Sequence, residues 1–393
     1  VAFCGHDGSV TIEVTPPGED PDPRLGTKLG DYVVVAHVAD GAMGAVYEAR
    51  NTATRERVAI KVLHSDVAED DVAVERFNRE YETAAMFQHP NIVKVLDFGK
   101  TKDGSRFLTM EYLVGQELGE LMRREGPQPP ARILRVLAQV ARALDHAHSY
   151  GVIHRDLKPD NIFLCASSEG GDVRLLDFGS VKLQVETGPK LTAFGTTLGS
   201  PFYMSPEQAK GLPDVDGRTD VFAMGAILYE ALSGKVAFEA PTVAEILMKI
   251  VRQKPTPLTT VKPGLPPAMD AVIDRALAKD KKQRFDGPIA LVDAALAAFG
   301  VQGSCAEWAQ RSEAELAAAL AAASGAPAPR PAPPPAAPAA SPPAPVPVPA
   351  APTARSAPPK ASSGVGSQLV LFGGLAALAF LVAAGIAAFF VFG

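Results

Sequence analysis

Apolar side chains in the first third of the chain come in short β-branched runs separated by turn residues. Tyr32-Val33-Val34-Val35, Arg57-Val58-Ala59-Ile60-Lys61-Val62, Asn91 to Val95 and Phe107 to Tyr112 read as strands. One helical period interrupts them, around Val74 to Met86. From Pro130 the spacing changes to threes and fours, as in Ile133-Val136-Leu137-Val140-Leu144, and long helices are expected. Strands first and helices afterwards predict an α+β body of two lobes, β-rich then α-rich, over residues 30–300. Residues 301–325 hold a further helical pattern, Ser304 to Ala323. It reads either as a coupling helix below the body or as a tail of no consequence, the second being preferred.

Two stretches follow a different logic. Residues 326–363 are nearly all Ala and Pro, with 15 of the 35 prolines and no acidic residue. Proline fixes φ and removes a donor, so an extended, disordered spacer is expected there. Leu369 to Phe392 then runs for 24 residues without a charged or strongly polar side chain. At a rise of ~1.5 Å per residue it reaches ~36 Å, enough for a transmembrane helix. Arg355 and Lys360 precede it, which places the N-terminal bulk in the cytoplasm of a single-pass cell-membrane protein. Gly373, Gly374, Ala377 and Gly385 either support helix pairing in the membrane or are ordinary residues of such a helix.

Charge and composition narrow the class. Lys plus Arg number 38 against 44 Asp plus Glu, a formal net charge of −6, which argues against a nucleic-acid-coating protein. Cys4, Cys165 and Cys305 lie far apart without a C-x-x-C pair, which excludes a disulfide scaffold and a self-contained zinc site. Residues 1–29 form an N-terminal tail in which Phe3-Cys4-Gly5-His6-Asp7-Gly8 resembles the second half of a small zinc ribbon, a plain flexible tail being the safer reading. Thr15 to Arg24, with four prolines, reads as a second linker. The start at Val1 and the end directly after the apolar run suggest a piece of a longer chain.

The chemistry concentrates in three places. Val38 to Tyr47, between two strands, contains Gly41 and Gly44, and glycines let backbone amides approach phosphates closely. Lys61 ends an apolar strand and needs an anionic partner, a carboxylate or a phosphate. Glu80 on the following helix offers one, although a solvated helix charge is the plainer reading of that residue. The run Val152-Ile153-His154-Arg155-Asp156-Leu157-Lys158-Pro159-Asp160-Asn161-Ile162 embeds charged groups and an amide in an apolar frame. Asp177-Phe178-Gly179 follows an apolar run. Together these supply a base (Asp156), a phosphate-facing cation (Lys158) and two oxygen ligands (Asn161 and Asp177) suited to Mg2+ shared with substrate phosphates.

The ordered set, with Ser205-Pro206-Glu207 and Asp220 to Gly225 after it, resembles a bacterial membrane-anchored eukaryotic-type (Hanks-type) serine/threonine protein kinase over Tyr32 to Gly300. The resemblance implies an ATP site built from the loop residues Val38, Ala39, Gly41 and Gly44. Val46 and Ala59 would sandwich the adenine, with Met110 as gatekeeper and Glu111 to Leu113 as hinge. Lys61, paired with Glu80, would hold the α- and β-phosphates. Asp156 would accept the proton of a substrate hydroxyl, Lys158 would steady the γ-phosphate, and Asn161 and Asp177 would bind magnesium. Glu207 and Arg284 would form a buried structural ion pair. Arg155 would receive a phosphate carried by Thr192, Thr196 or Thr197, with Thr196 first. Partners implied are proteins bearing Ser or Thr, a second copy for autophosphorylation in trans and membrane lipid, with no nucleic acid.

Ala39 stands where the family has the first loop glycine, and Ser200 where it usually has Thr. The added methyl raises the prospect of weaker nucleotide binding and keeps a rival reading open: a pseudokinase serving as a membrane-tethered binding module. A small-molecule kinase of related fold is disfavoured by Ser200 to Glu207, which resembles a peptide-seating segment. Asp97-Phe98-Gly99 repeats the D-F-G letters before the catalytic run, where chain order makes it a strand end and turn.

Overall fold

The computed structural model describes residues 22–41, 44–64, 88–101, 104, 106–166, 172–177 and 201–325, with the backbone of two short strands near the N-terminus. The chain divides into two compact units, Val1–Pro331 and Ala332–Gly393, and every described residue belongs to the first. The Ala/Pro stretch, the apolar run 369–392, the expected helix around Val74 to Met86 with Glu80, and Thr192, Thr196 and Thr197 lie outside the described residues. Among the described residues no helix is long and apolar enough to cross a membrane.

Strands β1 (Ala2–Phe3) and β2 (Val10–Thr11) pair antiparallel, so the N-terminal tail is not wholly irregular. The N-terminal lobe is a six-stranded antiparallel sheet of β3 (Lys28–Leu29), β4 (Tyr32–Asp40), β5 (Gly44–Asn51), β6 (Arg57–Leu63), β7 (Val95–Lys100) and β8 (Arg106–Glu111), ordered β3-β4-β5-β6-β8-β7. Register divides its two faces. Ala45 lies opposite Val62, Tyr47 opposite Ile60, and Phe107 opposite Val62, and all five are buried in one apolar cluster. Because side chains alternate, the intervening residues must point the other way. These are Val46 opposite Lys61, Lys61 opposite Leu108, and Ala59 opposite Met110. The lobe's packing reaches back into the expected linker, where Asp22 accepts the Tyr47 hydroxyl at 2.9 Å, and Leu25, directly after that linker, joins the cluster.

The expected strand Asn91 to Val95 is displaced to Val95–Lys100. Ile92 instead makes a single parallel bridge to Leu175, and the Val93 N–H donates to the Leu175 carbonyl at 3.1 Å. The β-branched pattern is thus spent on stitching the lobes together. Asp97-Phe98-Gly99 falls inside β7 rather than at a strand end, and a side chain on Gly99 would collide with the Phe107 ring.

In the second lobe α1 (Leu118–Glu125) and α2 (Pro130–Ser149) pack beside a three-stranded antiparallel sheet of β9 (Gly115–Glu117), β10 (Ile162–Cys165) and β11 (Val173–Leu175). Proline at the first position of α2 suits a helix start, where its missing N–H costs nothing. Helix α3 (Pro206–Ala209) precedes α4 (Arg218–Ser233), which is apolar on nearly all sides, lies at the centre of the lobe and ends on Gly234 in the left-handed conformation. Outer helices are α5 (Val243–Arg252), α6 (Leu258–Val261), α7 (Ala268–Ala276) and α8 (Pro288–Ala298).

Packing does not stop at Gly300. The single expected helix over Ser304 to Ala323 forms as two, α9 (Cys305–Trp308) and α10 (Glu313–Ala323). Val301, Cys305, Trp308, Ala309 and Leu316 belong to the same buried cluster as α2 and α8. The reading of this segment as an inconsequential tail is therefore corrected: burying Leu316 and Trp308 against α2 makes it part of the lobe's core.

Candidate active site

The glycine-bearing loop joins β4 to β5. The Gly41 N–H donates to the Gly44 carbonyl at 2.9 Å, and the ring of His64 meets the Gly41 carbonyl at 3.2 Å. Any Cβ on Gly44 would lie 2.2 Å from the Val62 carbonyl oxygen, so this position admits only glycine. Ala39 pairs with Val46 in extended strand backbone and is absent from the residues of positive φ, so its methyl meets no left-handed strain. Val38 is the extra residue of a bulge between the His37 and Ala39 pairings and is 50% exposed.

Beneath this loop the shared face of the sheet carries Val46, Ala59, Lys61 and Met110. Ala59 is buried while Val46, Met110 and Leu113 are half-buried, which leaves an apolar lining with the lysine at its inner end. Glu111 ends β8 by accepting from the Lys94 N–H at 2.8 Å and from Arg174 at 3.3 Å, so its carboxylate is engaged in holding the strand end. The chain then leaves the sheet through Tyr112 and Leu113.

The second lobe supplies the charged centre from a loop with little regular structure, held by a buried aspartate. Asp220, fully buried in α4, accepts from the N–H groups of His154 (3.0 Å) and Arg155 (2.9 Å) and contacts the His148 ring at 2.7 Å. Burial pushes its carboxyl pKa up, but the hydrogen bond and charge of His148, with His154 and the Arg155 N–H, outweigh that and hold it below the ordinary value. Arg155 sits at φ +66°, a conformation that costs a non-glycine residue energy and persists only where the surroundings impose it. Its Nε is buried without a hydrogen bond among the described residues, and burial lowers its pKa against the opposing pull of Asp220. In the sequence Asp220 is only the first letter of a D-x-x-x-x-G pattern; its work as the anchor of this loop, with Gln208 donating to the Arg155 carbonyl at 2.6 Å, emerges from the fold.

From that anchor the named residues converge. Lys158 Nζ reaches Asp156 Oδ2 at 3.2 Å, and Asn161 Nδ2 donates to the Asp156 carbonyl at 2.8 Å. The Leu176 N–H donates to the Asn161 carbonyl at 2.9 Å, while the His154 ring donates to the Leu176 carbonyl at 2.9 Å. These two bonds fix the peptide that leads into Asp177, at φ +54°, beside Asn161. Asp177 Oδ1 then meets Lys61 Nζ at 3.2 Å, across the lobes. One loop, one strand end and one sheet face therefore bring Asp156, Lys158, Asn161, Asp177 and Lys61 together.

Asn161 spends its amide nitrogen on the Asp156 carbonyl, which leaves its oxygen as an acceptor, and Asp177 remains 49% exposed. Two hard oxygen donors fit magnesium, which keeps waters and shares ligands with substrate phosphates. No group of three or more His, Cys, Asp or Glu side chains able to hold a metal alone occurs among the described residues. A closed structural pair lies behind the site: Arg284 meets both carboxylate oxygens of Glu207 at 2.7 Å, and Thr219 donates to Glu207 at 2.8 Å.

Residues 32–293 match the family model described as the protein kinase domain. Similar curated proteins include the serine/threonine-protein kinase pkn3 of Myxococcus xanthus, 41% identical over 271 residues, covering 67% of this chain and 49% of the relative. PknB of Mycobacterium tuberculosis is 37% identical over 248 residues, covering 62% of this chain and 39% of that protein. The chain thus spans about half or less of the curated relatives it matches. Among solved structures, the Mycobacterium tuberculosis PknI kinase domain aligns with a TM-score of 0.55 at 30% identity, covering 70% of this chain and 98% of that one. On the match over residues 32–293, and on a cleft that carries the family's charged residues, the chain belongs to the protein kinase family.

Proposed function

We propose that this chain transfers the γ-phosphate of ATP to serine and threonine hydroxyls of proteins, itself included. The observation that carries this reading is the Lys61–Asp177 contact at 3.2 Å, which joins the sheet face to the loop holding Asp156 and Asn161. The adenine would lie between Val46 and Ala59 under Val38, with Met110 behind it and the backbone of Glu111 to Leu113 along its edge. Gly41 and Gly44 keep the loop clear of side chains so that backbone amides can reach phosphate oxygens. Lys61 lies at the inner end of that lining, where it would hold the α- and β-phosphates.

Asp156 would take the proton of the incoming hydroxyl on a carboxylate oxygen, and Lys158, at 3.2 Å from it, would place positive charge beside the migrating phosphoryl group. Asn161 and Asp177 would hold magnesium, which, when bound, neutralises charge on the phosphate oxygens. Lysine two residues after Asp156 is the serine/threonine form of this loop and favours those acceptors over tyrosine.

Sequence features extend the proposal beyond the folded unit. Residues 326–363 would form an extended spacer and residues 369–392 a transmembrane helix, placing the kinase lobes at the cytoplasmic face of the cell membrane in contact with lipid. A second copy would serve as partner for autophosphorylation in trans at Thr192, Thr196 or Thr197, with Arg155 as receiver of the phosphate.

The test is an assay of the purified chain with ATP and magnesium, read by phosphoamino-acid analysis. Phosphoserine or phosphothreonine in the wild type, and none above background in Asp156→Asn, is expected. Nucleotide binding without any transfer would instead favour the tethered binding module.

A further inference from the structure

Helix α10 packs against α2 at the edge of the second lobe's core. Leu316 is its only fully buried side chain; Ala317, Ala319 and Leu320 are partly covered. Two arginines of α2 complete the attachment. Arg135 Nε donates to the Arg311 carbonyl at 2.6 Å, and Arg132 Nε meets Glu313 at 3.4 Å. A helix with one fully buried side chain, three partly covered ones and, among the described residues, polar contacts to α2 only at its N-terminal end is a peripheral element of the kind that opens without global unfolding.

The first residue of α10 lines a cavity of about 220 Å³, with Gln116, Leu121, Arg132, Arg135, Leu164 and Glu313 in its wall. A chain of polar contacts links Glu313 to Gln116. Glu313 meets Arg132, Arg132 meets Glu125 at 3.1 Å, Arg124 meets Glu125 at 2.9 Å, and Arg124 donates to Gln116 at 2.7 Å. Gln116 stands opposite Leu164 in the β9–β10 ladder, and β10 begins at Ile162, directly after Asn161. The ladder is tight: Gly115 lies at φ +153°, where any Cβ would sit 2.0 Å from the Leu164 carbonyl oxygen. In sequence, α10 is also the last described element before the Ala/Pro stretch.

We propose that α10 is a strap whose docking positions the β9–β10 ladder next to Asn161, so that its release loosens the ladder and slows phosphoryl transfer. Glu313, Arg132 and Arg135 are then positioning residues, acting through Gln116 and β10 without touching substrate. A pull on the following stretch, or its capture by a partner, would thereby reach the site. The turnover part of this inference rests on the kinase reading above; the mechanical part does not.

Hydrogen exchange and steady-state kinetics on the full chain test both parts, using Glu313→Arg, Leu316→Ala and the conservative Glu313→Asp. In the first two, amides of 313–323 should exchange faster, and those of 115–117 and 162–165 should follow. Their kcat should fall about threefold to tenfold with the KM for ATP unchanged, the size expected for mutations that alter coupling between sites. Glu313→Asp, which keeps the charge, should restore wild-type exchange and turnover. Release of α10 with exchange in the β9–β10 ladder and kcat unaltered would overturn the proposal, as would wild-type α10 exchange in both disruptive variants. If the wild type itself transferred no phosphate, the kinase reading would fail, and exchange in the ladder would still decide whether the strap acts on it.

Discussion

Two ion pairs in this chain show how differently a protein treats charge that holds structure and charge that serves a ligand. Arg284 and Glu207 meet through two contacts of 2.7 Å, with side chains 0% and 6% exposed, and the spare valences are taken by Thr219, the Ala278 carbonyl and the Arg218 carbonyl. Lys61 and Asp177 meet at 3.2 Å, with side chains 14% and 49% exposed. The first pair is saturated and closed. The second is longer and leaves the aspartate half exposed, as a pair must if a phosphate and a cation are to enter between its members. Burial sets the energetic contrast, since breaking a buried pair strands a charge, whereas opening an accessible one returns both groups to water.

Removing each lysine or arginine in turn separates the two cases. Lys61→Met should lower kcat/KM for ATP by about 10²–10³-fold, the usual cost of losing one group that stabilises developing charge. Its unfolding midpoint in urea should stay near that of the wild type. Arg284→Met should do the reverse: a loss of about 3–5 kcal/mol in the urea-unfolding free energy, because Glu207 is left buried and unpaired. Equal effects of the two substitutions on folding would erase the distinction.

The closed pair also has a pH signature. Burial raises the Glu207 pKa, but the Arg284 hydrogen bond and charge more than offset this, so the folded-state value lies below the ordinary one, as it does for Asp220. A depressed carboxyl pKa contributes stability that is complete above the unfolded-state value, about 4, and is lost as pH falls through the folded-state value. Thermal melting should therefore be level above about pH 5 and drop steeply below about pH 4. Glu207→Gln should start lower and show a shallower acid slope. The smallest effect belongs to Ala39→Gly. Glycine within a strand destabilises by roughly 0.5–1 kcal/mol, and with no left-handed backbone to relieve, the KM for ATP should be unchanged.

Much of this was legible in the amino-acid order, because the chemistry-bearing residues are consecutive or nearly so. Lys61 on a β-branched strand, and Asp156, Lys158 and Asn161 inside six residues, needed no tertiary information to be singled out. The helix expected from Pro130 begins there, and the strands at Arg57 and Phe107 fall within one residue of expectation. Legibility failed where a local pattern serves a distant partner. Asn91 to Val93 look like sheet residues, yet Asn91 Nδ2 donates to Gln139 and to the Val173 carbonyl, and Ile92 bridges Leu175. Asp220 could not be recognised as the loop's anchor because the N–H groups it accepts lie more than sixty residues away. The C-terminal helices did carry a readable signal that composition masked. Ser304 with Glu307 and Ser312 with Glu315 both form capping boxes, the start signature of two separate helices in an alanine-rich stretch.

The most direct test is a crystal structure of the chain with magnesium and a non-hydrolysable ATP analogue. The account predicts the adenine between Val46 and Ala59, Lys61 Nζ within hydrogen-bond distance of the α- or β-phosphate, and Asn161 and Asp177 ligating the cation beside Asp156. A nucleotide bound elsewhere, or phosphates that leave Lys61 and Asp177 as closed to them as Arg284 and Glu207 are, would contradict it.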